Sequence, residues 1–254
     1  SYKYWNVKRK ELFPGPRKVY EPAGFAIPND QLDAYNWLKS KILAGENVNP
    51  HQSKRLSNTS LEDPLFNDWG IHHFHLTTSY EEDGSGWVER DGSLLFAFVR
   101  GDAFYSLKIG DHGDWCDKDL LRIIYENWPD LIAPYRLHIA GVEREHEPDL
   151  KLMRRKGITV FHEVAPGAYY CAIGGGYSCT GISGEALHMS DMFIGNISAL
   201  EQEFRRNIDY FIAEFKAKSL DVNKRLEFKF TVNEFGFHVW ERSLHVKILL
   251  AYTD

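Results

Sequence analysis

Apolar and polar residues alternate between residues 69 and 79, and this alternation predicts a β-strand. Successive side chains of a strand point to opposite faces, so His72 and Phe74 share one face while His73 and His75 share the other. The alternation therefore divides the histidines of the stretch WGIHHFHLTT. One histidine is expected on the core side of a sheet, and the other two form a pair about 7 Å apart on the second face.

Two more strands are expected after a long loop that is rich in glycine and acidic residues. The continuous apolar run LLFAFV, at residues 94–99, is typical of a central strand. After a hairpin turn, residues 103–109 alternate again, which puts Lys108 on the face opposite Tyr105 and Ile109. The three strands predict a small antiparallel sheet with one face buried under helices and one polar face left open.

Helical spacing of apolar residues precedes and follows the predicted sheet. Apolar residues recur at helical intervals from residue 32 to residue 42, and a second helix is expected to start at Asp117 or Asp119 and to stop at Pro129. Residues 1–30 are rich in proline, lysine and arginine and are interpreted as an extended arm. This part of the chain is therefore expected to form an α+β layer, with helices packed on a small antiparallel sheet.

The second half of the chain also mixes strands with a helix. An apolar stripe predicts a long helix that includes residues 196–218. The strands predicted here are 158–164, 168–173, 226–232, 235–241 and 244–252. Residues 46–63 are interpreted as an irregular loop and residues 138–157 as a linker. The expected fold is thus α+β with two domains, 1–140 and 141–254, the second ending in an antiparallel sheet.

Composition narrows the class of protein. Of the 254 residues, 43% are hydrophobic and 26% are charged, as expected for a folded soluble protein. A net charge of −6 disfavours a broad nucleic-acid-coating surface, and the basic clusters at 8–10 and 151–156 are interpreted as solvated charge.

The three cysteines lack zinc-finger spacing and fit a reducing, cytoplasmic setting. No signal-peptide pattern or membrane-span-length apolar run is visible.

The histidine pair has candidate partners in the first domain. His73 and His75 are expected to share the polar sheet face with Lys108, while His112 follows the third strand and Arg90 ends the long loop. Imidazoles beside cations suit RNA cleavage without a metal or cofactor: one accepts the proton of a ribose 2′-hydroxyl and another protonates the leaving oxygen. The sequence therefore predicts a metal-independent ribonuclease. His73 or His75 would be its base and His112 its acid, and Lys108 and Arg90 would hold the phosphate.

Other interpretations of these residues stay open. Histidine in a strand is often half-buried and structural, and the sheet would then belong to a non-enzymatic interaction module. In that case the helix at 196–218 would bind a protein partner or form a homodimer. Alternatively, His73 and His75 with Asp111 and His112 offer ligands for the metal of a hydrolase.

Two short motifs suggest further chemistry. His75-Leu76-Thr77 has the His-x-Thr form of the two-histidine phosphoesterases, and His188-Met189-Ser190 is a candidate for the second motif. Both motifs lie on strands in that family, whereas His188 falls near or within a predicted helix. The glycine-rich stretch that starts at residue 174 matches neither a Walker A nor a GxGxxG motif and is interpreted as a flexible connection.

The order of elements from residue 30 to residue 135 runs helix, alternating strand, LLFAFV, turn and FYSLKIGDHGDW. In this order the segment resembles the small RelE/ParE-like toxins. That family places helices before an antiparallel sheet, and its ribonucleases cut messenger RNA with His, Lys, Arg and Tyr on the open sheet face. The resemblance implies a bacterial toxin or phage-defence effector. The site residues that it implies are His73, His75, Lys108, His112 and Arg90.

Overall fold

The computed structural model describes residues 2–90, 92–139, 149–223, 225–233 and 236–251. The chain forms two compact units, Ser1–Met189 and Ser190–Asp254, which are considered separately below. The sequence analysis divides the chain at residue 140 instead, within a stretch that lies outside the described residues. Strands and helices occur in both units, so the α+β fold class is confirmed.

The helices and strands are numbered here in chain order. The first unit contains α1 (Tyr2–Lys8), β1 (Lys18–Tyr20), α2 (Leu32–Ala44), α3 (Pro64–Trp69), β2 (Ile71–His75), β3 (Leu94–Arg100), β4 (Ala103–Gly110), α4 (Asp119–Asn127), β5 (Arg136–Leu137), α5 (Leu150–Arg155), β6 (His162–Ala165) and β7 (Ala168–Tyr170). Then follow α6 (Gly184–Arg206), α7 (Ile208–Ala217), β8 (Phe228–Asn233), β9 (Gly236–Glu241) and β10 (Val246–Ala251). None of the described helices is both long and apolar enough to span a membrane.

The larger sheet of the first unit has the strand order β1-β4-β3-β2. Strands β2, β3 and β4 are antiparallel, as predicted, and β1 adds a short parallel strand beside β4. The register places His73 opposite Phe96, which in turn lies opposite Lys108. His73 and Lys108 therefore project from the same face, separated by the central strand.

A β-bulge changes which side chains of β4 share a face. The register shifts between Phe96 and Ala97, which inserts one extra residue into β4 near Leu107. As a result Tyr105 packs with the same core cluster as Phe96, whereas Ile109 packs with the cluster on the other side. The prediction that Tyr105 and Ile109 share a face opposite Lys108 is therefore wrong, because simple alternation does not anticipate a bulge.

Both faces of this sheet are covered. On one face Leu94, Phe96 and Phe98 are buried with residues of α3, α4 and α5. On the other face Phe74 and Phe104 are buried against α2. The predicted open polar face is thus wrong: two helical layers enclose the sheet, because the central strand is apolar on both sides.

The first thirty residues are not simply an extended arm. Tyr2–Lys8 form a helix and Lys18–Tyr20 join the sheet, so two parts of this segment have regular structure. Leu12, between them, is buried with the apolar residues of α2. The sequence did not predict these two elements, because both are short and neither has a strong periodicity of apolar residues.

The predicted linker also contributes to the first unit. Within residues 138–157, α5 forms over Leu150–Arg155, and Leu150 is buried in the core cluster beside α4. Strands β5, β7 and β6 then form a second, three-stranded antiparallel sheet, from which Tyr170 reaches the same cluster. Residues after the predicted linker therefore complete the core of the first unit.

The second unit packs an apolar helical stripe on a three-stranded antiparallel sheet with the order β10-β9-β8. Phe204 is the centre of this packing: its ring lies 5.1 Å from Phe228, 5.7 Å from Phe230 and 4.8 Å from Phe211, centroid to centroid. The long helix predicted from the stripe is divided at Asn207 into α6 and α7. The C-terminal sheet is as predicted.

Candidate active site

Local signals fix where the histidine strand begins. The side chain of Asp63 caps α3 by accepting a hydrogen bond from the Phe66 N–H at 3.0 Å, and Pro64 occupies the first turn. Gly70 ends the helix with φ of 69°, a left-handed conformation that glycine adopts without strain. Strand β2 starts at the next residue, so this short helix sets the register of the histidines.

Three histidines lie side by side at one end of the sheet. The rings of His73 and His75 are 6.5 Å apart, and the rings of His75 and His112 are 5.4 Å apart, centroid to centroid. His112 lies in the exposed loop that follows β4, whereas only 3% of His75 is exposed. The predicted pairing of His73 with His75 is confirmed, and His112 joins them from a distant part of the sequence.

The central histidine of this cluster is held neutral. Burial, reinforced by the charge of Arg90 and by the neighbouring His73 and His112, lowers the pKa of His75 to about 3. Its Nδ1 atom is buried and has no hydrogen-bond partner among the residues that the structure describes. His75 is therefore a neutral imidazole between two histidines that are nearer to solvent.

Arg90 lies close enough to act on His75 electrostatically, but part of its guanidinium is already used. Its Nη2 atom donates to the backbone carbonyl of Gln52 at 3.1 Å, and its Nε lies 3.9 Å from Glu81 Oε1. Burial lowers the pKa of Arg90. This arginine therefore connects the histidine cluster to the preceding loop.

Lys108 shares the sheet face with His73 but is bound by carboxylates. Its Nζ donates to Asp117 Oδ2 at 2.7 Å and lies 3.4 Å from Asp114 Oδ2. The hydrogen bond to Asp117 raises the pKa of Lys108, so the ammonium is charged and its charge is compensated. Both predicted cations thus have carboxylate partners, and the pairing is closer for Lys108 than for Arg90.

A cleft of about 420 Å³ opens beside the cluster. His72, His73 and His112 line it, whereas His75 and Arg90 do not. The loop before α3 supplies half of the remaining lining residues. The polar and aromatic members of the lining that the sequence analysis did not identify are Lys10, Gln52, Ser53, Arg55, Glu62, Asp63, Phe66 and Trp115.

The carboxylates of the cleft have structural partners. Glu62 accepts hydrogen bonds from the Tyr2 hydroxyl, from Asn67 at 2.7 Å and from the Ser183 N–H at 3.2 Å. Asp63 caps α3 as described above. The negative charge that faces the cleft is therefore engaged with donors, which lessens its repulsion of an anionic ligand.

The two cationic side chains of the cleft differ in burial and in how far they are already hydrogen-bonded. Lys10 is buried, its Nζ donates to the Leu61 carbonyl at 3.2 Å, and burial lowers its pKa. Arg55 is exposed at the cleft, on a short 3₁₀ turn after Ser53. Arg55 is therefore the cation best placed to meet a ligand from solvent.

His72 projects from the sheet face opposite His73 and His75, as predicted, and its ring also borders the cleft. Its Nδ1 is 3.1 Å from Gln52 Oε1, which requires a proton on that nitrogen. Burial lowers the pKa of His72 to about 3, and its ring packs 4.5 Å from that of Phe66. His72 is therefore a neutral side chain that lines the cleft and is held in place by Gln52 and Phe66.

Two alternative chemistries find less support in this geometry. Among the described residues, no group of three or more His, Cys, Asp or Glu side chains is arranged to hold a metal ion. His188, the second histidine required by the phosphoesterase pattern, lies exposed on helix α6 and not on a strand. Histidines 73, 75 and 112 remain the group that the fold brings together.

The missed residues share one origin. Lys10 belongs to the segment interpreted as an arm, and residues 52–63 belong to the stretch interpreted as an irregular loop. Neither segment has a periodic pattern that would reveal which side chains turn inward. A cluster of Gln, Ser, Lys and Arg shortly before a histidine-rich strand was the available signal, and it was too common to be specific.

Comparison of the chain with protein-family models, with curated proteins and with solved structures found no match in any of the three. The resemblance of residues 30–135 to RelE/ParE-like toxins therefore stays a prediction.

Proposed function

We propose that this protein is a metal-independent endoribonuclease. The observation that carries the proposal is the row of His73, His75 and His112 beside a cleft into which two of the three project. Two imidazoles on one cleft can act as base and acid, because histidine is the side chain that most often transfers protons in enzymes. RNA is the substrate class that supplies its own nucleophile to such a pair.

The proposed reaction begins with His73 as the base. His73 removes the proton of a ribose 2′-hydroxyl, whose oxygen then attacks the adjacent phosphorus. The bond from phosphorus to the 5′-oxygen breaks, and His112 donates a proton to that leaving oxygen. The products are a 2′,3′-cyclic phosphate and a free 5′-hydroxyl, so that atoms and protons balance.

The remaining residues of the site would position the phosphate and stabilise its developing negative charge. Neutral His75, between the two reacting imidazoles, limits the positive charge in the cluster and so lets His73 act as a base. Arg55 would hold the phosphate from the open side of the cleft, and Arg90 would add positive charge beside His75. Lys108, charge-compensated by Asp114 and Asp117, would contribute through the loop that carries His112.

The biological role that we propose is that of a toxin or phage-defence effector in the cytoplasm. The resemblance to RelE/ParE-like ribonucleases motivates this role. Three free cysteines, Cys116, Cys171 and Cys179, are consistent with a reducing compartment. The RNA partner follows from the proposed chemistry.

The test is cleavage of a 5′-labelled single-stranded RNA in excess EDTA. We expect cleavage by the wild type and a loss of about 10²–10⁴-fold in the His73→Ala and His112→Ala variants. His138→Ala, which removes an exposed histidine elsewhere, is the matched control and should be fully active. RNA with a single 2′-deoxyribose at the cleaved position should be resistant.

Two results would overturn the proposal. One is the absence of any cleavage by the wild type across several RNA sequences. The other is full activity in a His73→Ala/His112→Ala double variant. Loss of activity in His188→Ala alone would instead favour the two-histidine phosphoesterase mechanism.

A second candidate function is protein interaction through the second unit. Met192 and Ile194 on α6 and Tyr210 on α7 are more than half exposed, although neighbouring apolar residues are buried against the sheet. Exposed apolar side chains on a helix face can mark a contact with a partner or a second copy. Light scattering at increasing concentration, with a Met192→Ser/Tyr210→Ser variant as comparison, tests for a homodimer.

A further inference from the structure

A second cavity of about 510 Å³ lies in the first unit, beside the cleft just described. Phe66 and His72 line both spaces, so the two are neighbours. Three arginines, Arg9, Arg17 and Arg100, line the second cavity. They come from the segment interpreted as an arm and from the end of β3, and no part of the proposed catalysis uses them.

The guanidinium groups of these arginines hydrogen-bond to neutral oxygens, although Glu62, Asp63 and Glu185 act electrostatically on Arg9. Arg17 donates to the carbonyls of Gly15 and Phe13, at 3.2 and 2.8 Å, and Arg100 donates to the Leu131 carbonyl at 3.0 Å. Arg9 donates to the Asn67 side-chain oxygen. Within the described residues, none of the three arginines forms an ion pair with a carboxylate.

Several donors of these arginines are unused. Nε and Nη1 of Arg9 and Nε of Arg17 are buried without a hydrogen-bond partner among the residues described. Leaving a buried donor unsatisfied costs about 1–3 kcal/mol, and more when the group is charged. An anion in the cavity would offset the positive charge of these arginines, which their hydrogen bonds to carbonyl and amide oxygens do not neutralise.

The acidic residues of the cavity do not cancel this charge. Glu11 is paired with Lys8, whose Nζ lies 2.7 Å from Glu11 Oε2. Glu185 is the other carboxylate of the lining and is exposed. Three guanidinium groups line the cavity together with Glu185, and Glu62 and Asp63 also act electrostatically on Arg9. The excess of positive charge is therefore greatest at Arg17 and Arg100.

The cavity also offers aromatic surface. Phe13 lines it and is 65% exposed, with Lys8 Nζ 5.8 Å from its ring centroid. Phe66 already carries the guanidinium of Arg9 at 4.9 Å from its ring centroid, and Tyr135 also lines the cavity. A ligand with both an anionic group and a flat ring would match arginine and aromatic lining together.

We propose that this arginine-lined cavity binds a nucleotide, with its phosphate on Arg9, Arg17 and Arg100 and its base against Phe13. The inference does not depend on the proposed ribonuclease activity. The nucleotide is either a free nucleoside monophosphate or one unit of a single-stranded RNA, and the experiment separates these sources.

The experiment measures binding to the full chain by calorimetry and fluorescence anisotropy, with three probes. These are inorganic phosphate, AMP and a labelled 2′-O-methyl oligonucleotide, which lacks the free 2′-hydroxyl and cannot be cleaved. We expect the wild type to bind AMP more tightly than phosphate, because only AMP carries a base. Arg17→Gln/Arg100→Gln should weaken the binding by about tenfold or more, while Arg155→Gln, an exposed arginine of α5, should not.

Circular dichroism checks that the double variant is folded, and the single variants Arg17→Gln and Arg100→Gln replace it if it is not. Tight binding of AMP supports a free nucleotide as ligand, and tight binding of the oligonucleotide without AMP supports an RNA segment. Binding that persists in His73→Ala/His112→Ala separates this site from the histidine cluster. No binding of any probe up to about 10 mM, or equal binding by wild type and arginine variants, would overturn the inference.

Discussion

At the scale of single residues, burial decides what each histidine of β2 can do. His73 borders the cleft, while His72 and His75 are buried and their pKa values are lowered to about 3. Adjacent residues of identical type therefore have different chemistry. Strand alternation predicted the separation of His72 from the pair, whereas the greater burial of His75 than of His73 is set by tertiary packing.

The lowered pKa values of His72 and His75 predict acid sensitivity. Above the ordinary histidine pKa of 6.5 both states are neutral, and between that value and about 3 the unfolded chain binds more protons. The free energy of unfolding should therefore fall as the pH falls through this window. Each histidine contributes a slope of at most about 1.4 kcal/mol per pH unit.

Urea denaturation between about pH 7 and pH 4 measures this dependence. His72→Asn keeps a hydrogen-bond donor for Gln52 but cannot titrate, so its slope should be smaller than that of the wild type. His138→Asn, at an exposed position, should keep the wild-type slope. An unchanged slope in His72→Asn would show that this residue titrates alike in both states.

At the scale of elements, a buried ionic network connects the smaller sheet of the first unit to α3 and α5. Asp68 of α3 accepts from Arg154 Nε of α5 at 3.0 Å, and its other oxygen lies 3.0 Å from His162 Nε2 of β6. The Arg154 guanidinium also packs 3.9 Å from the ring of Trp69. This network connects residues 86 and 94 positions apart along the chain, a separation that no local pattern reveals.

Breaking this network should be costly. Asp68→Asn leaves the buried Arg154 without its carboxylate, and we expect a loss of about 3–5 kcal/mol in the free energy of unfolding. The double variant Asp68→Asn/Arg154→Met also removes the buried, unpaired guanidinium charge, so it should recover part of the lost free energy of unfolding. Urea denaturation of both variants measures the difference, and a cost below about 1 kcal/mol for Asp68→Asn would contradict a buried, essential pair.

Enclosure of the sheet on both faces gives another prediction. Phe96 and Phe74 project to opposite faces and both are buried, so Phe96→Ala and Phe74→Ala should each cost about 3–5 kcal/mol. Phe161→Ala, at an exposed position, should change stability by less than about 0.5 kcal/mol. If only Phe74→Ala were costly in chemical denaturation, the open sheet face expected from the sequence would be correct after all.

At the scale of the whole molecule, the chain has two compact units with separate cores. The sheet and helices of the second unit are organised around Phe204 and Val239, both buried within that unit. The histidine cluster and both cavities discussed above belong to the first unit. Stability of the second unit and chemistry of the first are therefore expected to respond to different substitutions.

Phe204→Ala tests this separation. The substitution removes a ring that contacts three other phenylalanines, and a loss of about 3–5 kcal/mol is expected in the second unit. Hydrogen exchange measured by mass spectrometry should speed up in residues 228–251 while β2, β3 and β4 keep their protection. Equal acceleration in both units would indicate that they unfold as one.

The sequence by itself determined the strands β2, β3 and β4, the helices α2 and α4, the C-terminal sheet, and the pairing of His73 with His75. These features follow from periodicity, which acts over a few residues and is written locally in the chain. The bulge near Leu107 could not be predicted from periodicity, because its position depends on how β3 and β4 pair with each other.

Only the tertiary structure decided that both sheet faces are covered, that His112 meets His75, and that the loop before α3 forms the cleft. It also decided that the arginines of the N-terminal segment and of β3 line one cavity. Each of these depends on contacts between residues far apart in sequence, chosen by packing of the whole core. The local sequence pattern does not predict these long-range contacts. The loop before α3, for example, would have the same polar, aperiodic sequence whichever part of the protein it packed against.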